Sequence, residues 1–200
     1  IATREDVTIC EEKEATKACR KAVSLVREGK ADLLMKGLVP TSSILKAVLN
    51  SQDGLKKNPL LSHLTFFELP NRSGVKILTD AAISIAPDVE TLTGIVENAV
   101  EAFRLFENRP PKVALLAANE KVSEKVPSTT LAQSVTQAFA SRTDAIVEGP
   151  ISLDLSVSED SVRIKKWQGK IRGDADIFVT PRIETGNVLY KSLQYYARTP

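Results

Sequence analysis

The sequence predicts an α/β fold built around mostly parallel strands, and three observations carry that expectation. Short apolar runs of strand length recur at residues 31–35, 113–117, 145–147 and 177–179. Between them lie stretches whose apolar residues fall three and four apart, the spacing that puts one apolar stripe on a helix. The two patterns alternate along the chain, and a helix that follows a strand returns the chain for a parallel neighbour.

Taken in order, residues 12–28 read as an amphipathic helix with Ala15, Ala18, Cys19, Ala22, Leu25 and Val26 on one face, stopped by Gly29. The run 31–35 follows as a buried strand. Thr41, Ser42 and Ser43 are N-cap candidates for a helix carrying Ile44, Leu45, Val48 and Leu49. Residues 64–69 and 75–79 form a hairpin whose five-residue loop runs from Pro70 to Gly74. Pro87 and Asp88 start a long helix that reaches about Asn108, and Arg109-Pro110-Pro111 breaks it. A strand at 113–117, a helix at 127–140 and a strand at 145–147 come next. A polar, basic segment leads to the strand 177–179 and a closing helix, 183–197, with Ile183, Val188, Leu189, Leu193 and Tyr196 as its apolar stripe. The Pro-Pro break suggests two α/β domains, 1–110 and 111–200, with a cleft between them.

Composition narrows the function. The chain has 200 residues, 42% of them hydrophobic, which is enough for a core. Its 27 basic and 25 acidic residues leave a net charge of +2, too even for a protein whose main partner is nucleic acid. No apolar run approaches the ~18 residues of a membrane span, and no signal-peptide pattern is present. A cytoplasmic protein without nucleic-acid or membrane partners is expected. Cys10 and Cys19 read as packing residues of a reduced protein, and two cysteines with the single His63 do not make a zinc site.

Neither a dinucleotide-binding glycine loop nor a P-loop occurs, so phosphate recognition rests on ordinary strand-to-helix turns. The first runs from Met35 through Lys36 and Gly37 to Thr41, Ser42 and Ser43. Backbone N–H groups at that helix start favour an anion, and Lys36 adds charge; simple N-capping is the competing reading. Ser128, Thr129 and Thr130 open a second such helix. Asp80 ends a strand, where α/β folds bind ligands or where a carboxylate caps a turn. Arg163, Lys165, Lys166, Lys170 and Arg172 surround Trp167, either as a solvated loop or as a docking surface for phosphates. Glu184, Gly186, Asn187 and Lys191 open the last helix, with Lys191 one turn beyond Asn187 on one face.

Four blocks resemble the phosphate acetyl/butyryltransferase family in its own order and spacing. They are residues 31–39 around Met35-Lys36-Gly37-Leu38, residues 79–88 from Thr79-Asp80-Ala81-Ala82 to Pro87-Asp88, residues 147–154, and residues 181–191 from Pro181 to Lys191. Met-Lys-Gly-Leu is more similar to the butyryl and branched-chain branch. The resemblance implies two domains of the isocitrate- and isopropylmalate-dehydrogenase-like type with the active site in the cleft between them. It implies a homo-oligomeric acyltransferase that moves a short-chain acyl group between coenzyme A and inorganic phosphate, with coenzyme A as substrate and no cofactor or metal. Lys36, Thr41, Ser42 and Asp80 would bind phosphate and substrate, and Glu184, Asn187 and Lys191 would line the coenzyme A side. The family's last segment carries a Ser-Arg pair and an Asp, the expected catalytic groups, and would lie beyond Pro200. A family N-terminal stretch is also unmatched, so the chain is expected to be a fragment, and its general base is not assigned. Thr180-Pro181-Arg182 departs from the family's Pro-Asn-Ile-Glu-Ala pattern and leaves Arg182 without a role. The rival readings are an acyl-coenzyme A-sensing domain without catalysis, a phosphate acyltransferase of phospholipid synthesis, and a dehydrogenase of the same fold, which a single histidine disfavours.

Overall fold

The computed structural model describes residues 7–68 and 74–198. The chain divides into two compact units, Ile1–Pro59 and Leu60–Pro200.

In the first unit α1 (Ala15–Arg27) and α2 (Thr41–Val48) pack through Cys19, Val23, Ile44 and Ala47, with Leu34, Val39 and Leu55 against them. Gly29, at φ +69°, closes α1 as expected. The Gly29 N–H donates to the Val26 carbonyl at 3.0 Å and the Lys30 N–H to the Leu25 carbonyl at 2.9 Å. Residues 31–35, expected as a buried strand, form none. Among the described residues this unit has no strand to complete a ladder with them. Leu34 alone packs inward, while Leu33 and Met35 stand 73% and 84% exposed.

The second unit is a five-stranded sheet of order β1-β2-β5-β3-β4. Its strands are β1 (Thr65–Glu68), β2 (Val75–Thr79), β3 (Lys112–Leu116), β4 (Ile146–Ile151) and β5 (Ile177–Val179). β1 pairs antiparallel with β2, as the expected hairpin requires, and every other pairing is parallel. Most of the hairpin's loop lies outside the described residues. α3 (Val89–Phe103) and α4 (Pro127–Ala138) cover one face with Leu92, Ile95, Val96, Ala99 and Val135. The Asp88 carboxylate caps α3 by accepting the Thr91 N–H at 2.8 Å. α5 (Leu153–Val157), α6 (Glu159–Lys165) and α7 (Ile183–Ser192) cover the other face around Phe178, Leu155 and Ile171.

Three further expectations change. The Pro-Pro break is not a boundary between compact units, because β2 from before it pairs with β5 from after it. The basic segment expected as a loop holds α5 and α6, which bury Leu155 and Val162; Ser158 starts α6 by accepting the Ser161 N–H at 3.2 Å. The closing helix gives way to a π-helical turn at Leu193–Ala197, and it packs through Leu189, Tyr190 and Leu193. Val188 and Tyr196, placed on the apolar stripe from sequence, are exposed.

At the amino-terminal edge of the sheet, one buried carboxylate ties three segments together. Asp176 accepts two hydrogen bonds from Arg109 at 2.8 and 2.9 Å, one from Lys76 at 3.2 Å and one from the Lys112 N–H at 2.9 Å. Burial opposes ionisation of this group, but the Arg109 pair, the Lys112 N–H and Lys76 outweigh it and hold the carboxyl below its ordinary range.

Candidate functional site

The opposite, carboxyl-terminal edge is where an open parallel sheet receives ligands. Asp80 sits just past β2, almost fully buried. Its Oδ1 accepts the N–H groups of Ala82 at 2.8 Å and Ile83 at 2.9 Å, and its Oδ2 accepts those of Ser84 and His63, both at 3.3 Å. A carboxylate engaged by four backbone donors organises the loop after β2.

That loop is docked on the start of α7. The Ile183 N–H donates to the Ile85 carbonyl at 3.1 Å, and the Asn187 side-chain amide donates to the Ala81 carbonyl at 3.3 Å. Gly186 is buried at the contact, where a Cβ would collide with the Asp80 carbonyl and the Thr180 hydroxyl. Glycine is therefore required for close approach here.

Beside this contact lies a cavity of about 190 Å³ lined by Pro87, Pro127, Ser128, Leu131, Pro181 and Arg182. It is smaller than the roughly 300–1,000 Å³ of a pocket for a drug-sized ligand, and Ser128 and Arg182 are the polar side chains of a mostly apolar lining. Neither the hydroxyl nor the N–H of Ser128 has a hydrogen-bond partner among the described residues. α4 starts at Pro127 with no side-chain cap, and its twelve residues direct their N-terminal dipole toward the cavity. Thr129, by contrast, is used internally: its hydroxyl accepts the Ser123 N–H at 2.9 Å and donates to the Val126 carbonyl at 2.7 Å.

On the same edge, past β3 and β4, Lys165 lies 3.3 Å from Glu120, 3.2 Å from the Ser152 hydroxyl and 3.0 Å from Asp154, and Ser152 also hydrogen-bonds Glu120. For Glu120, burial opposes ionisation, yet the Ser152 and Lys165 hydrogen bonds hold its carboxyl below the ordinary range. This network ties α6 to the sheet edge.

The residues expected from sequence are distributed over both units. Glu184 is exposed in the first turn of α7, where a carboxylate complements the helix dipole. Lys191 places its ammonium 4.8 Å from the Tyr190 ring centroid. In the first unit, Lys36 donates to the carbonyls of Gly37 at 3.0 Å and Val39 at 3.1 Å and so folds its own turn. Pro40, with no side-chain bond, caps α2, so Thr41 and Ser42 are its first helical residues and not its cap. Ser42 lines a groove of about 1090 Å³ with Arg20, Ser24 and Lys46. Arg182 and Ser128 are the residues that sequence reasoning leaves without a joint role. A cation three residues past β5, and a hydroxyl directly after a helix-starting proline, are the available signals.

Residues 4–199 match the family model described as phosphate acetyl/butaryl transferase. The chain belongs to that family. A Bacillus subtilis (strain 168) protein named "Probable phosphate butyryltransferase" is 43% identical over 183 residues, which is 90% of this chain and 61% of that protein. Phosphate butyryltransferase of Clostridium acetobutylicum is 39% identical over 193 residues, 95% of this chain and 64% of that protein. The crystal structure of a branched-chain phosphotransacylase from Enterococcus faecalis V583 superposes with a TM-score of 0.87 at 45% identity, over 94% of this chain and 67% of that one. The chain thus spans just under two thirds of the length of these curated relatives. The mostly parallel α/β architecture agrees with these phosphate acetyl/butaryl transferase relatives. Among the described residues, no helix is long and apolar enough to cross a membrane.

Proposed function

We propose that the protein exchanges a short-chain acyl group, butyryl or branched, between coenzyme A and inorganic phosphate. The observation that carries this reading is the carboxyl-edge cavity, where Arg182, Ser128 and the start of α4 converge, in a chain of this family. In the exchange, the coenzyme A thiolate attacks the carbonyl carbon of an acyl phosphate. The tetrahedral intermediate collapses, its C–O bond to phosphate breaks, and phosphate departs. A thiol of ordinary pKa, about 8.5, is mostly protonated at neutral pH and must yield its proton to a base. The departing phosphate needs fixed positive partners. The coenzyme A thiol is consumed or released as the thioester forms or breaks, so coenzyme A enters as substrate, and this reading invokes no metal or prosthetic group.

Arg182 and Ser128 hold the phosphate in this reading. Lys36, Thr41 and Ser42 form a second anion-competent turn in the first unit. Asp80 acts by fixing the loop, and Asn187 by pinning that loop to α7. Glu184 and Lys191 lie on the coenzyme A side of the helix. A homo-oligomer is part of the same reading. The free thiols of Cys10 and Cys19 fit a reducing, cytoplasmic setting.

Release of coenzyme A thiol from butyryl-coenzyme A by the full-length protein is expected to require phosphate. Arg182→Ala should raise KM for phosphate by about tenfold or more, the size of one charge-assisted contact, and leave KM for acyl-coenzyme A nearly unchanged. Lys36→Ala tests the second turn in the same assay. Thiol release that ignores phosphate, or an Arg182→Ala variant with both KM values raised equally, would remove the support for this function.

A further inference from the structure

A second polar groove, on the face covered by α5, α6 and α7, is not used by the acyl transfer. It has a volume of about 530 Å³ and is lined by Arg163, Lys166, Arg172, Trp167 and Gln168, with Glu159 as its one carboxylate. Arg163 pairs with Asp160 at 3.0 Å. The side chains of Lys166 and Arg172 form no ion pair among the described residues. Cations gathered around one concavity repel each other unless an anion joins them.

The loop that presents these cations is held in one shape from several sides. The Trp167 backbone N–H donates to the Val162 carbonyl of α6 at 3.0 Å, and its indole N–H donates to the Ile171 carbonyl at 3.0 Å. The Glu148 carboxylate on edge strand β4 accepts the N–H groups of Lys170 at 2.9 Å and Ile171 at 2.7 Å. Gly169 is tucked so closely under the indole that a Cβ would strike both Trp167 and Glu148. Lys166 itself adopts φ 52°, the left-handed conformation in which a helix end ordinarily carries glycine. A lysine held there, against its own backbone preference, points to a use for its charge.

We propose that this groove is a binding site for an oligophosphate anion of the nucleotide class, with the phosphates between Lys166 and Arg172 and the remainder of the ligand beside Trp167. The proposal goes beyond acyl transfer and does not depend on it. Free nucleotides and inorganic oligophosphates share this chemistry, and the two probes below distinguish them.

Trp167 is the one tryptophan of the chain, so its emission reports directly on the groove. Adenosine 3′,5′-bisphosphate and inorganic tripolyphosphate are titrated separately into the full-length protein with excitation on the red edge of the indole band. A saturable change is expected, and Lys166→Gly and Arg172→Ala should each raise Kd about tenfold, the effect of losing one charged hydrogen-bond partner. Lys166→Gly relieves the left-handed strain, so lost binding there does not reflect lost folding. A response to both probes assigns the site to phosphate alone, and a response to the nucleotide only adds a base on the indole. No saturable response to either probe at millimolar concentration would overturn the proposal, as would binding that both variants leave unchanged.

Discussion

Asp80→Ala is expected to destabilise the second unit by about 3 kcal/mol or more, since unmade hydrogen bonds of buried groups cost about 1–3 kcal/mol each. The substitution removes the acceptor for four backbone N–H groups, those of His63, Ala82, Ile83 and Ser84. For a chain of this size, that loss lowers the melting temperature by roughly 6–12 °C. Asp80→Asn separates the two roles open to this residue. Asparagine keeps one carboxyl-like oxygen but turns an amide donor toward two backbone donors, so it should cost stability on the same scale. If Asp80 instead only contacted substrate, Asp80→Asn would melt like the parent and merely lose turnover. Thermal melts and activity measured on both variants decide between these outcomes.

Asp176→Ala should be the other severe substitution, at about 3 kcal/mol, because it leaves the largely buried Lys76 without its counter-ion and the Lys112 N–H without its acceptor, while the half-exposed Arg109 can turn to water. Arg109 and Lys76 lose their shared carboxylate, and Lys112 loses the acceptor of its N–H. The folded state holds the Asp176 carboxyl below its ordinary value. Its stabilisation is therefore complete above the unfolded pKa, about 3.9 for aspartate, and is lost as pH falls through the folded value. The stability gap between parent and Asp176→Ala should accordingly be full near neutrality and narrow below about pH 4. A gap that widens in acid would show that the carboxyl is not held ionised by these partners.

Where periodicity acts within one segment, the sequence is a good guide. α3 shows this: Asp88 caps it, and Leu92, Ile95, Val96 and Ala99 fill the core as their spacing demands. Strand β5 is legible from three apolar residues, and the β1–β2 hairpin from two apolar runs flanking a turn. The run 31–35 misleads because hydrophobicity reports a tendency toward burial, whereas a strand also needs a partner. α5 and α6 are hidden under a charge run whose few apolar residues include the buried Leu155 and Val162. The candidate site is legible only in parts. Asp80 and Asn187 stand out in the sequence, but the bond from Asn187 to the loop after β2 depends on α7 lying against that loop. The meeting of Ser128 and Arg182 arises because β5 inserts between β2 and β3, a sheet order that no local pattern encodes.

Phosphorus NMR of the full-length protein with butyryl-coenzyme A and inorganic phosphate follows both sides of the proposed exchange at once. The expected result is a new acyl phosphate resonance that grows in step with free coenzyme A thiol while inorganic phosphate declines by the same amount. Thiol release with no acyl phosphate resonance and no loss of phosphate would mean hydrolysis, and would contradict acyl transfer to phosphate.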